Sequence, residues 1–343
     1  MSTTTRSDST APVRLALFGL GGMGMHHLEI FQGLAPWAEI TAVADSHPPF
    51  AERATAVVPA ARVFHDPLDC LRNVEFDAAV VASADNTHHA IVDACIARGI
   101  YALCEKPLTP SADESLRLLK AERASGRRLI QVGYMRRYDA DYRHLYDTAR
   151  SGAVGQPVLI SQRHHNPLAF NTFDARQLIA SSAAHDFDLF RWFTGEEITV
   201  VNCAAKASDD GSTVTVLISL TSESGILGVV EVGRGPGMRY DIGLDLVGSR
   251  GSATLGAPSL ATHAAVDGAA AQRLPDSWIE RFDGAYRAQN AAFLTAVANN
   301  SIDGPSTYDG YAANAVADAA LAALRTGGAQ AVNQIPDDPR FRN

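Results

Sequence analysis

The sequence predicts two domains of different class: an N-terminal α/β domain with a doubly wound, mostly parallel sheet, and a C-terminal α+β domain with a large, mainly antiparallel open sheet. Three observations carry this reading. The chain has 343 residues, more than one hydrophobic core usually organises. From Val13 to about Tyr134, short apolar runs alternate with helical stretches, the pattern of βαβ units. Beyond Tyr134, strand-like runs separated by polar turns take over. The expected boundaries are a disordered tail over 1–11, a first domain over 12–134 and a second over 135–343, with the last helices free to pack back on the first domain.

In the first domain the strands are VRLALF (13–18), EITAVA (39–44), DAAVVAS (77–83), YALCE (101–105) and RLIQVG (128–133). Most are apolar on successive residues, which suits strands covered by helices on both faces. RRYDADYRHLYDTARSG reads as a helix ending at Gly152, QPVLISQRHHN as a strand entering a loop, and 175–194 as one helix. ITVVNCAAKAS, STVTVLISLTS, GILGVVEVGRG and YDIGLDLVG, divided by turns such as DDGS and SESG, read as an antiparallel meander. Residues 257–277 read as an irregular loop, and alanine-rich helices over 281–299 and 309–327 close the chain. A meander covered by helices on one side leaves apolar positions on the other, so a second copy is expected there.

Composition excludes several classes. Hydrophobic residues make up 46% and charged ones 20%, the balance of a globular chain rather than a disordered one. A net charge of -9 speaks against a nucleic-acid binder, which concentrates Lys and Arg on one face. Cys70, Cys95, Cys104 and Cys203 lack metal spacing and read as reduced core thiols of a cytoplasmic protein. The opening MSTTTRSDST has no apolar centre, and no apolar run approaches the roughly 20 residues of a membrane helix, so neither export nor a membrane is expected. The doublets His26-His27, His88-His89 and His164-His165 invite a metal, but adjacent side chains diverge on a helix or a strand; no metal is expected.

Gly19-Leu20-Gly21-Gly22-Met23-Gly24 follows the first strand and opens a helix. In that position G-x-G-x-x-G has a mechanism. Gly19 permits the tight turn, Gly21 lets the backbone approach a pyrophosphate, and Gly24 lets helix and strand pack closely. The phosphate charge then meets a helix N-terminus. Asp45, ending the second strand, can accept hydrogen bonds from both ribose hydroxyls; its plain alternative is a cap on the next helix. The same carboxylate repels a 2′-phosphate, and Ser46-His47-Pro48 supplies no arginine to attract one. The first domain therefore reads as a Rossmann domain that takes NAD rather than NADP. Cys104-Glu105-Lys106-Pro107 stands at the carboxyl edge of the sheet, where open α/β sheets bind ligands.

With these motifs the chain resembles the Gfo/Idh/MocA oxidoreductases, particularly their inositol 2-dehydrogenase branch. The resemblance rests on GLGGMG with His27, AVAD ending at Asp45, EKP at 105–107, GYMRRYDADY at 133–142, HHNP at 164–167, HDFDLFRW at 185–192, RYDIGLDLVG at 239–248 and GPSTYDGYAAN at 304–314. It implies NAD-dependent oxidation of a cyclic polyol or sugar, with Lys106 stabilising the alkoxide and His185 as general base. It also implies polar substrate contacts from Arg136, Asn166, Ser181, Ser182, His185 and Tyr240. Met23, Ser83, His88, Glu105 and Lys106 join Gly19, Gly21, Gly24 and Asp45 on the cofactor side, and assembly as a homodimer or homotetramer follows from the same resemblance.

One position departs from the pattern. An aspartate usually precedes the catalytic histidine by one helical turn in that branch, and this chain has Ser181. A hydroxyl can orient an imidazole but cannot neutralise its charged form, which forfeits about 1 to 2 kcal/mol. Asp188, on a similar helix face, can supply part of that charge, but an acid is common there in that branch too and suggests a separate structural job; Asp174 reads equally as a cap. The departure points to a substrate other than myo-inositol. Two further readings stand beside the dehydrogenase: a glycosidase that oxidises and re-reduces its sugar, and a non-catalytic NAD-bound sugar sensor.

Overall fold

The computed structural model describes residues 11–167, 174–256, 275 and 277–336. The expected tail over 1–11 and loop over 257–277 fall almost wholly outside these residues. The described residues form two compact units: the chain up to Tyr134 with Tyr286–Tyr311, and Met135–Ala285 with Ala312–Ile335.

In the first unit the chain runs β1 (Val13–Phe18), α1 (Gly22–Gln32), β2 (Ala38–Ala44), α2 (Pro48–Val57), β3 (Arg62–Phe64), α3 (Pro67–Asn73), β4 (Ala78–Val81), α4 (His88–Arg98), β5 (Tyr101–Cys104), α5 (Ala112–Ser125) and β6 (Ile130–Val132). The strands order β3-β2-β1-β4-β5-β6, and every neighbouring pair is parallel. This order reverses between β1 and β4, and such a reversal opens a crevice at the carboxyl ends of the strands. All of β4 and β5 is buried, as continuous apolar runs under two helical layers require. β3 escapes the sequence reading because it is a three-residue edge strand, largely exposed, with no apolar run to mark it. Helix starts are chemically signalled: Asp66 and Ser111 accept the backbone N–H of Leu68 and Glu114, worth about 1 kcal/mol each.

The second unit begins with a 3-10 turn, Met135–Tyr138, and continues through α6 (Ala140–Arg150), β7 (Pro157–Asn166), α7 (Ala175–Gln177), α8 (Ala184–Thr194), β8 (Ile198–Ala207), β9 (Val214–Ser222), β10 (Leu227–Arg234), β11 (Asp241–Gly248) and β12 (Ser252–Leu255). Helices α9 (Trp278–Ala298) and α10 (Thr307–Thr326), of which Tyr286–Tyr311 belong to the first unit, and the short β13 (Gln330–Ala331) follow. The sheet is mixed, ordered β12-β11-β7-β10-β9-β8-β13. Only β8-β9-β10 forms the expected meander; β7 inserts between β10 and β11, parallel to the former and antiparallel to the latter. Alternation along a strand specifies its two faces but not its neighbours, which is why the insertion is silent in the sequence.

The helix expected over 175–194 is interrupted. Between α7 and α8 lies a π-helical turn, Leu178–Ser182, closed by the Ala183 N–H donating to Leu178 O at 2.9 Å. One extra residue in a turn leaves the apolar pattern nearly unchanged, so periodicity does not reveal it. Asp174 caps α7 in a reciprocal capping box with Gln177. On the sheet, α8 rests its Phe190 against Gly228 of β10, where a Cβ would stand 2.8 Å from the ring. Burying such a ring contributes about 1.5 to 3 kcal/mol. Among the described residues no helix is long and apolar enough to cross a membrane.

Candidate functional site

The glycine turn of the first unit is built as its sequence implies. Gly19 has φ +86°, and a Cβ there would lie 2.4 Å from the Ser83 backbone. A Cβ on Gly24 would lie 1.8 Å from Gly19 O, so this glycine serves the packing of α1 on the turn. Gly21 differs: a Cβ there would meet no atom within 4 Å. Among the described residues nothing packs there, so the backbone at the N-terminus of α1 is left open, as a pyrophosphate would require. Met23 stands half-buried in the first turn of that helix.

Asp45 follows β2, its Oδ2 accepting from the Leu20 N–H at 2.6 Å and its Oδ1 from the His47 N–H at 2.7 Å. The carboxylate thus ties the glycine turn to the loop before α2. A cleft of about 790 Å³ opens beside it, lined by Gly19, Gly21, Asp45 and Ser83 and also by Phe50 and His65. The last two are missed by sequence reasoning, since His65 follows the unmarked β3 and Phe50 is one apolar residue of a surface helix. Phe50 meets the ring of His47 edge-on, 4.8 Å between centroids. The residues present fit a dinucleotide with free ribose hydroxyls.

At the end of β5, Glu105 is held from several sides. Its Oε1 lies 3.0 Å from His27 Nε2 and its Oε2 accepts the Lys106 N–H at 3.2 Å. Buried His27 turns its Nδ1 to Asn290, whose Nδ2 is 2.9 Å away. If Asn290 donates there, the His27 proton sits on Nε2, where it can donate to Glu105. Glu105 is therefore a support beneath the Lys106 backbone, while the Lys106 side chain is half-buried. His88 is buried and spans the next loop, Nδ1 3.0 Å from Pro107 O and Nε2 3.1 Å from Ser83 O. Ser83 Oγ pairs with Thr87 Oγ1 at 2.6 Å.

In the second unit Arg136 is buried, with Tyr240 among the groups that act on its charge. Arg136 Nη1 donates to Asp186 Oδ1 at 2.7 Å, and Arg136 Nη2 lies 3.1 Å from His164 Nδ1. Burial alone would weaken the charge on Arg136, yet Asp186 raises its pKa overall. Burial and the nearby Arg136 act in opposite directions on Tyr240, and burial prevails, raising its pKa. Tyr142, fully buried in the same neighbourhood, is pushed up to about 12 for the same reason. Asn166 ends β7 two residues past His164 and on the same face.

His185 is buried in the first turn of α8, Ser182 is buried at the end of the π turn, and Ser181 is half-buried within it. The Asp188 carboxylate takes Arg137 Nε at 2.9 Å and a second, shorter contact from Nη2. Lys106 lies in the first unit and His185 in the second. Of the histidine doublets, His164 and His165 point apart, His164 meeting Asp186 on one face of β7 and His165 meeting Glu231 on the other, whereas the rings of His26 and His27 both meet Tyr286. Among the described residues no group of three or more His, Cys, Asp or Glu side chains is placed to hold a metal ion.

Comparison with known proteins agrees with this fold. Residues 13–134 match the Gfo/Idh/MocA family described as an oxidoreductase family with an NAD-binding Rossmann fold, and residues 142–254 match the Gfo/Idh/MocA C-terminal domain. Inositol 2-dehydrogenase 4 of Saccharopolyspora erythraea is 37% identical, covering 96% of this chain and 98% of its own. An inositol 2-dehydrogenase of Rhodococcus erythropolis is 35% identical over 95% of this chain and 97% of its own. Among solved structures, myo-inositol dehydrogenase from Lactobacillus casei in complex with NAD(H) and myo-inositol superposes with a TM-score of 0.87 at 26% identity, covering 96% of this chain and all of that one.

Proposed function

The chain belongs to the Gfo/Idh/MocA oxidoreductases, and from that premise we propose that it uses NAD to oxidise a secondary hydroxyl of an inositol-like cyclic polyol. One observation in the second unit carries the choice of a neutral substrate: the guanidinium of Arg136 is already paired with Asp186. That pair is polar but balanced in charge, which suits a ring of hydroxyls and not a phosphate or carboxylate.

NAD supplies the hydride acceptor when bound, held by Gly19, Gly21, Gly24 and the carboxylate of Asp45. His185 takes the hydroxyl proton, a task suited to an imidazole near neutral pH. Lys106 stabilises the alkoxide as that proton leaves. Arg136, Asn166, Ser181, Ser182 and Tyr240 hydrogen-bond the remaining hydroxyls. Ser181, in place of the acid common in the inositol branch, supports a preferred substrate other than myo-inositol. A homodimer or homotetramer through the open face of the second sheet and a cytoplasmic location complete the reading, the latter supported by four buried free thiols.

The test is NADH formation across a panel of inositols, aldoses and glycosides. Turnover of a ring polyol, falling about 10²- to 10⁴-fold in His185→Ala and Lys106→Ala, is expected. Product formation without net NADH would replace the dehydrogenase by the glycosidase, and efficient turnover of myo-inositol alone would remove the inference from Ser181.

A further inference from the structure

Asp186 directly follows the proposed base, is wholly buried, and takes no part in the chemistry above. Its two oxygens serve two partners from two other elements. Oδ1 accepts from Arg136 in the 3-10 turn at 2.7 Å, and Oδ2 lies 2.8 Å from Nδ1 of His164 on β7. Burial pushes its pKa up, but Arg136 and His164 together hold it below the usual carboxylate value, so it is ionised at neutral pH. An ionised carboxylate only accepts hydrogen bonds. The Nδ1 nitrogen of His164 therefore carries a proton toward Asp186, and the orientation of the ring is settled by that bond.

The surroundings make this carboxylate the sole negative charge balancing Arg136 among its described contacts. Arg136 Nη2 sits 3.1 and 3.4 Å from the two ring nitrogens of His164. The neighbouring strands place Val232 and Ile242 beside His164, neither of them ionisable. Tyr142 and Tyr240 face Arg136, and both resist ionisation through burial. Farther out, Asp139 is matched by its own partner, Arg281, at 2.7 Å.

We propose that Asp186 is the positioning residue of the polyol site, acting through Arg136 and His164, and that its charge sets the preference for neutral over anionic ring substrates. The inference rests on the polyol reading. With Asp186 neutralised, Arg136 becomes an uncompensated buried cation that would favour a carboxylate-bearing sugar.

The decisive variant is Asp186→Asn in the full-length protein with NAD. Its KM for the best neutral polyol should rise at least tenfold while kcat changes less than threefold, and D-glucuronate should become at least tenfold more potent as a competitor. Independently of any substrate, ¹⁵N NMR should show the His164 ring protonated at Nδ1 in the wild type. Its titration midpoint should move about one unit lower in the variant, because the charge that favours the imidazolium is gone. If Asp186→Asn does not fold, His164 should titrate lower in the pair Arg136→Met with Asp186→Asn than in Arg136→Met alone, because only the carboxylate separates those two variants. An unchanged His164 titration, or an unchanged KM with unchanged glucuronate inhibition, overturns the proposal. A wild type that forms no NADH from any polyol would instead remove the functional reading, leaving the His164 titration to decide the role of Asp186.

Discussion

Gly21 and Gly24 stand in the same motif, yet their alanine variants should fail in different ways. Gly21→Ala meets open space, so its unfolding midpoint should stay within about 0.5 kcal/mol of wild type while NAD affinity, read by fluorescence titration, falls at least tenfold. Gly24→Ala forces a methyl against Gly19 O and should cost stability directly, about 2 kcal/mol or more by denaturant unfolding. Equal stability losses in the two would show that Gly21 serves packing after all. These positions are legible in the sequence because a known mechanism ties spacing to place. The Arg136-Asp186-His164 cluster is not, since its members are 50 and 22 residues apart and no spacing rule connects a turn, a strand and a helix. Asp188 likewise pairs with Arg137, an arginine from another element that no helix-face rule points to.

At the level of elements, the sequence marks those that bury an apolar face and passes over those that do not. β1, β4 and β5 were visible as apolar runs, whereas β3 is exposed and the π turn beside His185 hides inside a helical pattern. The turn after β5 is a different case. EKP is recognisable, but its support comes from His27 on α1, 3.0 Å from Glu105, and from Asn290 on α9, 2.9 Å from His27. Removing the middle member leaves a buried carboxylate with one partner fewer. His27→Ala should therefore destabilise the protein by about 2 to 3 kcal/mol and also lower kcat through the displaced Lys106 backbone. His27→Gln, which can donate to Glu105 from a similar position, should recover a larger share of kcat than of stability. Loss of stability with kcat unchanged would confine the network to a structural role.

Over the whole molecule, the expectation of an exposed sheet face held, but the insertion of β7 changed what that face presents. Because β7 lies between β10 and β11, Arg163 stands centrally, 3.4 Å from Asp241 and 3.6 Å from Asp245, while His165 meets Glu231 at 2.9 Å. Around these pairs Leu217 and Leu227 are each 52% exposed, with Val200 and Val247 on the same face. A face holding both signs of charge and several bare aliphatic side chains complements itself under two-fold symmetry. A stable contact of this kind covers about 800 Å² per partner and tolerates little unpaired charge at its centre. Placing arginine at both Leu217 and Leu227 opposes the rows of two copies without touching the covered side of the sheet. Sedimentation should find the wild type at a multiple of 36.5 kDa and the double variant at the single-chain mass, with its unfolding free energy per chain measured in the same buffer. A wild type that sediments at one chain mass, or a double variant that keeps the assembly intact, would show that another surface joins the copies.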